Sequence, residues 1–380
     1  MPCFGREKET IELWRRFDGG ENLLMLAPRR IGKTVMLNHL CDLAGDHGHR
    51  AIVLDVEGFH DEKDFFRQCC SAIQEELSTG TAVMTAFAGR LRQVLRGSTT
   101  EGADWRQLLM QTDWKEFADH LFTHLNDNND EPPWLILVDE LPVFVQALQE
   151  KGGANSIGEF LYWLRGVRQK YRNVRWLYAG SVGLDTVARR HNVEGALNDL
   201  HPFTLEPFSK DTAKEFLADI ASRRNCAFEP DATDAIITRL GWLSPYYLER
   251  IAEDACMDAG ASVPVDTLAV HSAMNRMLEL SKRIYWANWR EHLDRNFVEP
   301  ERSRLHAILE TVARQEDGAD WNLILGSLNR GTQTITETEL RNIVDTLLSD
   351  GYLTEGRNRR YQFRMNLLRE WWLRYVAPRG

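Results

Sequence analysis

Residues Leu24 to Thr34 read "LMLAPRRIGKT". An apolar run ends at Ala27, a Pro-Arg-Arg turn follows, and Gly32-Lys33-Thr34 opens the helical stretch "KTVMLNHLCDLAGDHG". The run "NLLMLA" predicts a buried strand, and the stretch after the loop predicts a helix. From Ala27 to Thr34 the spacing is that of G-x-x-x-x-G-K-[ST], with alanine where the first glycine usually stands. Between a strand and a helix, such a loop surrounds phosphates with backbone N–H groups and the positive end of the helix. Lys33 is placed to reach the β- and γ-phosphates, and the Thr34 hydroxyl to hold Mg²⁺. Gly32 gives the backbone room to approach. Pro28, Arg29, Arg30, Ile31 and Val35 complete the binding stretch, and alanine at position 27 is tolerable if its φ is negative.

Working outward, "RAIVLDV", "WLILVDE" and "VRWLYAGS" predict three more strands, apolar on both faces and separated by helices. That pattern implies a parallel sheet covered on both sides. "WLILVDE" ends in Asp139-Glu140, and the carboxyl ends of such strands are where ligands sit. There Asp139 becomes a Mg²⁺ ligand and Glu140 the group that polarises an attacking water. Ser181, closing "WLYAGS", is positioned to touch a terminal phosphate or that water.

The chain's 380 residues call for two or three domains. A hydrophobic share of 43% with 27% charged residues is that of a soluble globular protein, expected in the cytoplasm. No apolar run reaches the ~20 residues of a membrane span. The start, "MPCFGREKE", lacks the apolar core of a secretory signal. Cys3, Cys41, Cys69, Cys70, Cys226 and Cys256 have no metal-ligand spacing and read as reduced thiols. The net charge of −10 argues against a general nucleic-acid coat.

Beyond Pro207 the pattern is helix upon helix, including one long predicted helix, "VDTLAVHSAMNRMLELSKRIYWANWREHL". The last segment ends in "GYLTEGRNRRYQF", a hairpin turning near Gly356, which suggests a small winged helix. Its candidate reading helix, "TETELRNIVDTLLSD", turns Glu337, Glu339, Asp345 and Asp350 outward against Arg341 alone, a face that phosphates repel. Arg357, Arg359, Arg360 and Arg364 form a positive patch on the wing, open to a DNA backbone or to an acidic protein surface. Trp286, Trp289, Trp371 and Trp372 read as packing between domains.

With these pieces in order, the chain resembles the AAA+/STAND superfamily of P-loop ATPases, and within it the archaeal-type ATPase group. The resemblance covers nearly the whole chain. "CFGREKE" resembles the F-G-R-E box, "APRRIGKT" the P-R-R-x-G-K-T loop, and "LVDELPVF" the Walker B segment. "YAGS" resembles the third-strand sensor, "LNDLHPFTLEPFS" the exit from the core, and "GWLSPYYLERIAEDA" the lid. "RYQFRMNLLREWWLRY" resembles the winged-helix ending.

The resemblance implies an α/β P-loop NTPase core at residues 1–206, a helical lid at 207–297 and a winged-helix domain at 298–380. It implies ATP or ADP with Mg²⁺ as ligands, with Phe4, Gly5 and Arg6 bordering the adenine and Pro245 and Tyr246 closing from the lid. It makes Arg29 and Arg30 customary. Many relatives reach a neighbour's γ-phosphate with an arginine near the end of the core, which leaves room for an oligomer. Here that stretch offers Asn198 and Asp199, with Arg189 and Arg190 the remaining candidates. Arg250 stands one turn beyond the place of a lid sensor. The expectation is slow hydrolysis in a nucleotide-controlled switch with a protein effector, in bacterial or archaeal defence or mobile-element biology. The rival is an ATP-regulated DNA-binding protein or loader, and a scaffold that holds nucleotide without turnover is a third reading.

Overall fold

The structure is a computed structural model and describes residues 3–77, 87–89, 105–127, 132–153, 155–180, 183–260, 263–329 and 335–377. The chain resolves into two compact units. One comprises residues 1–27 and 32–205, the other 28–31 and 206–380.

The first unit is built on a five-stranded parallel sheet of β1 (Asn22–Leu26), β2 (Arg50–Asp55), β3 (Trp134–Asp139), β4 (Val174–Ala179) and β5 (Leu200–Thr204). Their order is β2-β3-β4-β1-β5, and every pairing is parallel. Residues of one parity, Leu24, Ile136, Val138, Trp176 and Tyr178, join a core with Phe65, Phe66, Phe144 and Phe160 from the covering helices. The intervening Leu23, Met25, Leu135, Leu137 and Leu177 are buried as well, outside that cluster. Burial of both parities covers both faces, as the continuous apolar runs require.

The edge strand β5 differs from the expectation, which read "LHPFT" as part of an exit segment. Its burial alternates irregularly and it contains Pro202, both signs of a linker. A proline lacks an N–H and is tolerated on an edge strand. Here β5 pairs only with β1, and Arg16 donates to the Pro202 carbonyl at 3.1 Å.

The second unit is helical. The predicted long helix is broken into Thr267–Met277, a short turn at Leu280–Lys282 and Ile284–Asn296. Glu279 is extended at the break (ψ 155°), and the Trp286 indole N–H returns to the Met277 carbonyl at 2.7 Å. Trp286 stacks on Tyr247 at 4.9 Å, and Trp289 meets Tyr352 edge to face at 5.0 Å. Trp371 and Trp372 are buried in the same unit. Such pairs prefer these offset and edge arrangements, and this seam joins the residues of 207–297 to those of 298–380. The end of the unit packs helices Glu301–Ala313, Trp321–Leu328 and Glu337–Ser349 with an antiparallel hairpin of β8 (Leu353–Glu355) and β9 (Tyr361–Phe363); two-residue strands at Ala227–Phe228 and Pro264–Val265 are β6 and β7.

Two expectations are corrected here. Cys226 and Cys256 are joined in a disulfide across 30 residues, with Cα atoms 6.2 Å apart. Tertiary packing brought together two cysteines whose spacing carried no signal. Asp350 does not face outward, because it lies past the helix end and is buried.

Candidate functional site

The loop between β1 and helix Lys33–Leu43 is shaped by backbone geometry that only some residues tolerate. Gly32 lies at φ 95° and caps the helix, a left-handed conformation that glycine adopts without penalty. Ala27 is not among the residues with positive φ, so the missing first glycine imposes no strain. Lys33 is buried, 7% exposed, and its ammonium donates to the Ala27 carbonyl at 3.1 Å. The cation is thereby held over the loop that it closes.

Thr34 Oγ1 donates to Asp139 Oδ2 at 2.5 Å, linking the start of that helix to the end of β3. Asp139 is buried, and desolvation pushes its carboxyl above the ordinary range; the Thr34 hydrogen bond and Lys33 oppose the rise, while Glu140 adds to it. A buried carboxylate beside a hydroxyl supplies the oxygen ligands that Mg²⁺ prefers, so Thr34 and Asp139 fit the ion chemically. Glu140 sits at φ 58°, left-handed for a side chain with a Cβ, and caps helix Leu141–Gly152. Its backbone N–H donates to Asp139 Oδ1 at 3.1 Å, which helps to orient the Asp139 carboxylate. Val35 is partly exposed in the helix's first turn.

At the N-terminus, Phe4 and Gly5 form a turn before helix Glu7–Asp18. Arg6 is buried and bonds Glu9 at 2.7 Å, so its guanidinium is engaged in the fold. Its carbonyl accepts from Thr10 Oγ1, which also approaches Met36 Sδ at 3.9 Å, setting this turn beside the loop's helix. Ser181 lies outside the described residues.

The stretch in place of an arginine finger has a structural role that the sequence did not reveal. Asp199 receives both Nε and Nη2 of Arg168, at 2.8 and 2.7 Å. Arg168 is buried and also donates to the Ala196 carbonyl and the Tyr178 hydroxyl. Arg189, on the exposed end of helix Leu184–Arg190, lies 3.9 Å from Asp185.

Residues Pro28–Ile31 belong with the second unit. In that unit Ser244 Oγ donates to the Arg30 carbonyl at 2.6 Å, and the Arg30 guanidinium lies 4.3 Å over the Tyr246 ring. Pro245 opens helix Pro245–Ala259, and Arg250 on the same helix bonds Glu253 at 3.1 Å. The four arginines at and after the hairpin divide into two kinds. Arg357 and Arg359 are exposed, whereas Arg360 donates to the Gly318 carbonyl and Arg364 to Leu348. The four do not form a single open patch.

No protein-family model matches the sequence, and no curated protein matches it either. Solved structures do. The Walker-type ATPase PABY2304 of Pyrococcus abyssi aligns with a TM-score of 0.68 at 18% identity, over 97% of this chain and 95% of that one. The Aeropyrum pernix ORC2 protein, solved as ADPNP-ADP complexes, aligns with a TM-score of 0.59 at 14% identity, over 97% and 92%. The fold is therefore that of a P-loop NTPase, an α/β architecture shared along nearly the full length of both neighbours.

Proposed function

We propose that this chain binds ATP with Mg²⁺ at the loop Ala27–Thr34 and hydrolyses it slowly, as a nucleotide-controlled switch. The observation that carries this reading is the Thr34–Asp139 hydrogen bond beside the buried Lys33. It brings together a cation, a hydroxyl and a carboxylate from positions over a hundred residues apart. The ADPNP-ADP complexes of the ORC2 neighbour support nucleotide as the ligand class.

In this reading the Lys33 ammonium exchanges the Ala27 carbonyl for a terminal phosphate, at little cost in reorganisation. Mg²⁺, when bound, would neutralise phosphate charge; Thr34 and Asp139 would hold it. Glu140 would orient and deprotonate the water, from a backbone set in the left-handed region at the end of β3. Phe4 and Gly5 would border the adenine, Pro245 and Tyr246 would serve from the lid at 207–297, and Ser181 would act as sensor. Slow turnover is expected because Asn198 and Asp199 stand where many relatives carry an arginine, and Arg189 lies at an exposed helix end, where an oligomeric neighbour would have to recruit it.

We place the switch in the cytoplasm with a protein effector, in defence or mobile-element biology, and read 298–380 as a winged helix. The DNA reading is kept because Arg357 and Arg359 are exposed at the hairpin turn. Glu140→Gln tests the main reading: the variant should bind ATP and retain it unhydrolysed. Hydrolysis at the parental rate would remove Glu140 from the mechanism.

A further inference from the structure

We propose that Ser244 and Gly351 are positioning residues for the phosphate loop, so that the C-terminal unit sets the shape of Pro28–Ile31 and through it the affinity for nucleotide. The proposal rests on the nucleotide reading for its functional consequence, but not for its geometry.

Three observations converge on the segment. The first is what Ser244 leaves undone. A serine at a helix N-cap ordinarily accepts a hydrogen bond from an N–H of the first turn. Ser209, Asp61, Asp113, Asp266, Asp320 and Thr336 all do so in this chain. Ser244 caps helix Pro245–Ala259 with no such bond. Its fully buried hydroxyl instead donates to the Arg30 carbonyl at 2.6 Å.

The second is the state of the residue it holds. Arg30 lies at φ 66°. A non-glycine residue is held there only when its surroundings over-determine it. Ser244 takes the carbonyl, and the Tyr246 ring takes the guanidinium at 4.3 Å. Backbone and side chain of the same residue are thus fixed from one helix start.

The third is the close approach at Gly351, in the turn after helix Glu337–Ser349. Gly351 has φ 83°, and a Cβ there would lie 2.5 Å from Pro28 Cβ and 2.9 Å from its Cγ. Pro28 is seated directly against that backbone, and no other residue type leaves it room.

The segment so held is covalently continuous with Ala27 on one side and Gly32-Lys33 on the other. A change in how the lid or the hairpin end grips Pro28 and Arg30 must therefore be felt by the phosphate-binding backbone. By linkage, nucleotide must alter that grip by the same free energy. The hairpin end becomes a lever on the nucleotide, without touching it.

The experiment compares the full-length parental chain with Ser244→Ala and Gly351→Ala. It follows amide hydrogen exchange across residues 29–31, without nucleotide and with a non-hydrolysable ATP analogue plus Mg²⁺, and titrates the analogue. Both variants should exchange faster at 29–31 while the strands β1, β3 and β4 keep parental protection. Ser244→Ala should also bind the analogue about tenfold more weakly, the scale of one lost buried hydrogen bond, and Gly351→Ala should weaken binding as well. Ser244→Ala adds no atoms, so it keeps the test open if Gly351→Ala does not fold. Unchanged exchange at 29–31 in Ser244→Ala overturns the positioning role. Faster exchange with parental affinity overturns its functional consequence. If the parental chain binds no nucleotide, the nucleotide reading fails, and exchange in the nucleotide-free protein still decides whether Ser244 holds the loop.

Discussion

Glu140 occupies a left-handed conformation that costs about 1–3 kcal/mol where a Cβ is present. Such strain at the end of a buried strand, next to a carboxylate that bonds its N–H, is expected where position matters more than comfort. Glutamine keeps volume and backbone but not basicity, so Glu140→Gln should lower single-turnover hydrolysis by at least about 100-fold while leaving ATP bound. Asp199 makes the opposite kind of prediction. Removing it as Asp199→Ala strands the buried Arg168 charge, and unfolding in denaturant should report a loss of about 3–5 kcal/mol. A loss below 1 kcal/mol would return Asp199 to the list of free polar residues. The gathering of Lys33, Thr34, Asp139 and Glu140 was legible in the sequence, because each lies at the end of a strand or the start of a helix that the apolar pattern marks. Asp199 and Ser244 were not, because their partners are about thirty and two hundred residues away. An Asp in a polar stretch and a Ser before Pro-Tyr-Tyr look like a loop residue and a helix cap.

At the scale of elements, strands β1 to β4 were readable because their runs are apolar on both faces, a demand that helices at this spacing do not make. Strand β5, at one edge, was hidden by Pro202 and its exposed side chains, both of which an edge position tolerates. The break at Glu279 was hidden because residues on both sides keep helical periodicity, while the turn is imposed by Trp286 reaching back to Met277. Burial of Asp350 likewise depends on where helix Glu337–Ser349 stops. The hairpin carries its own prediction. Arg360 and Arg364 are half-buried and bonded to carbonyls, so Arg357 and Arg359 are the exposed pair among these four arginines. Beside them the helix shows Glu337, Glu339 and Asp345 to solvent. Replacing Arg357 and Arg359 with glutamine should leave duplex DNA affinity and its salt dependence unchanged. A slope reduced by about 0.9 for each lost contact would make the DNA reading correct.

For the molecule as a whole, the proposed switch makes a kinetic prediction, since Asn198 and Asp199 stand where an arginine finger would. Basal turnover should lie below about 1 s⁻¹, the lower end of the usual enzymatic range, and plain duplex DNA should not raise it. Stimulation by DNA alone would favour a loader over a switch. All of this depends on one premise, that the loop Ala27–Thr34 receives the phosphates of ATP. The direct test is equilibrium binding of a fluorescent ATP analogue, with Mg²⁺, to the parental chain and to Lys33→Ala. Saturable binding by the parental chain, abolished in Lys33→Ala while its thermal unfolding stays cooperative, is the predicted result. Undiminished binding by the variant would contradict the account at its centre.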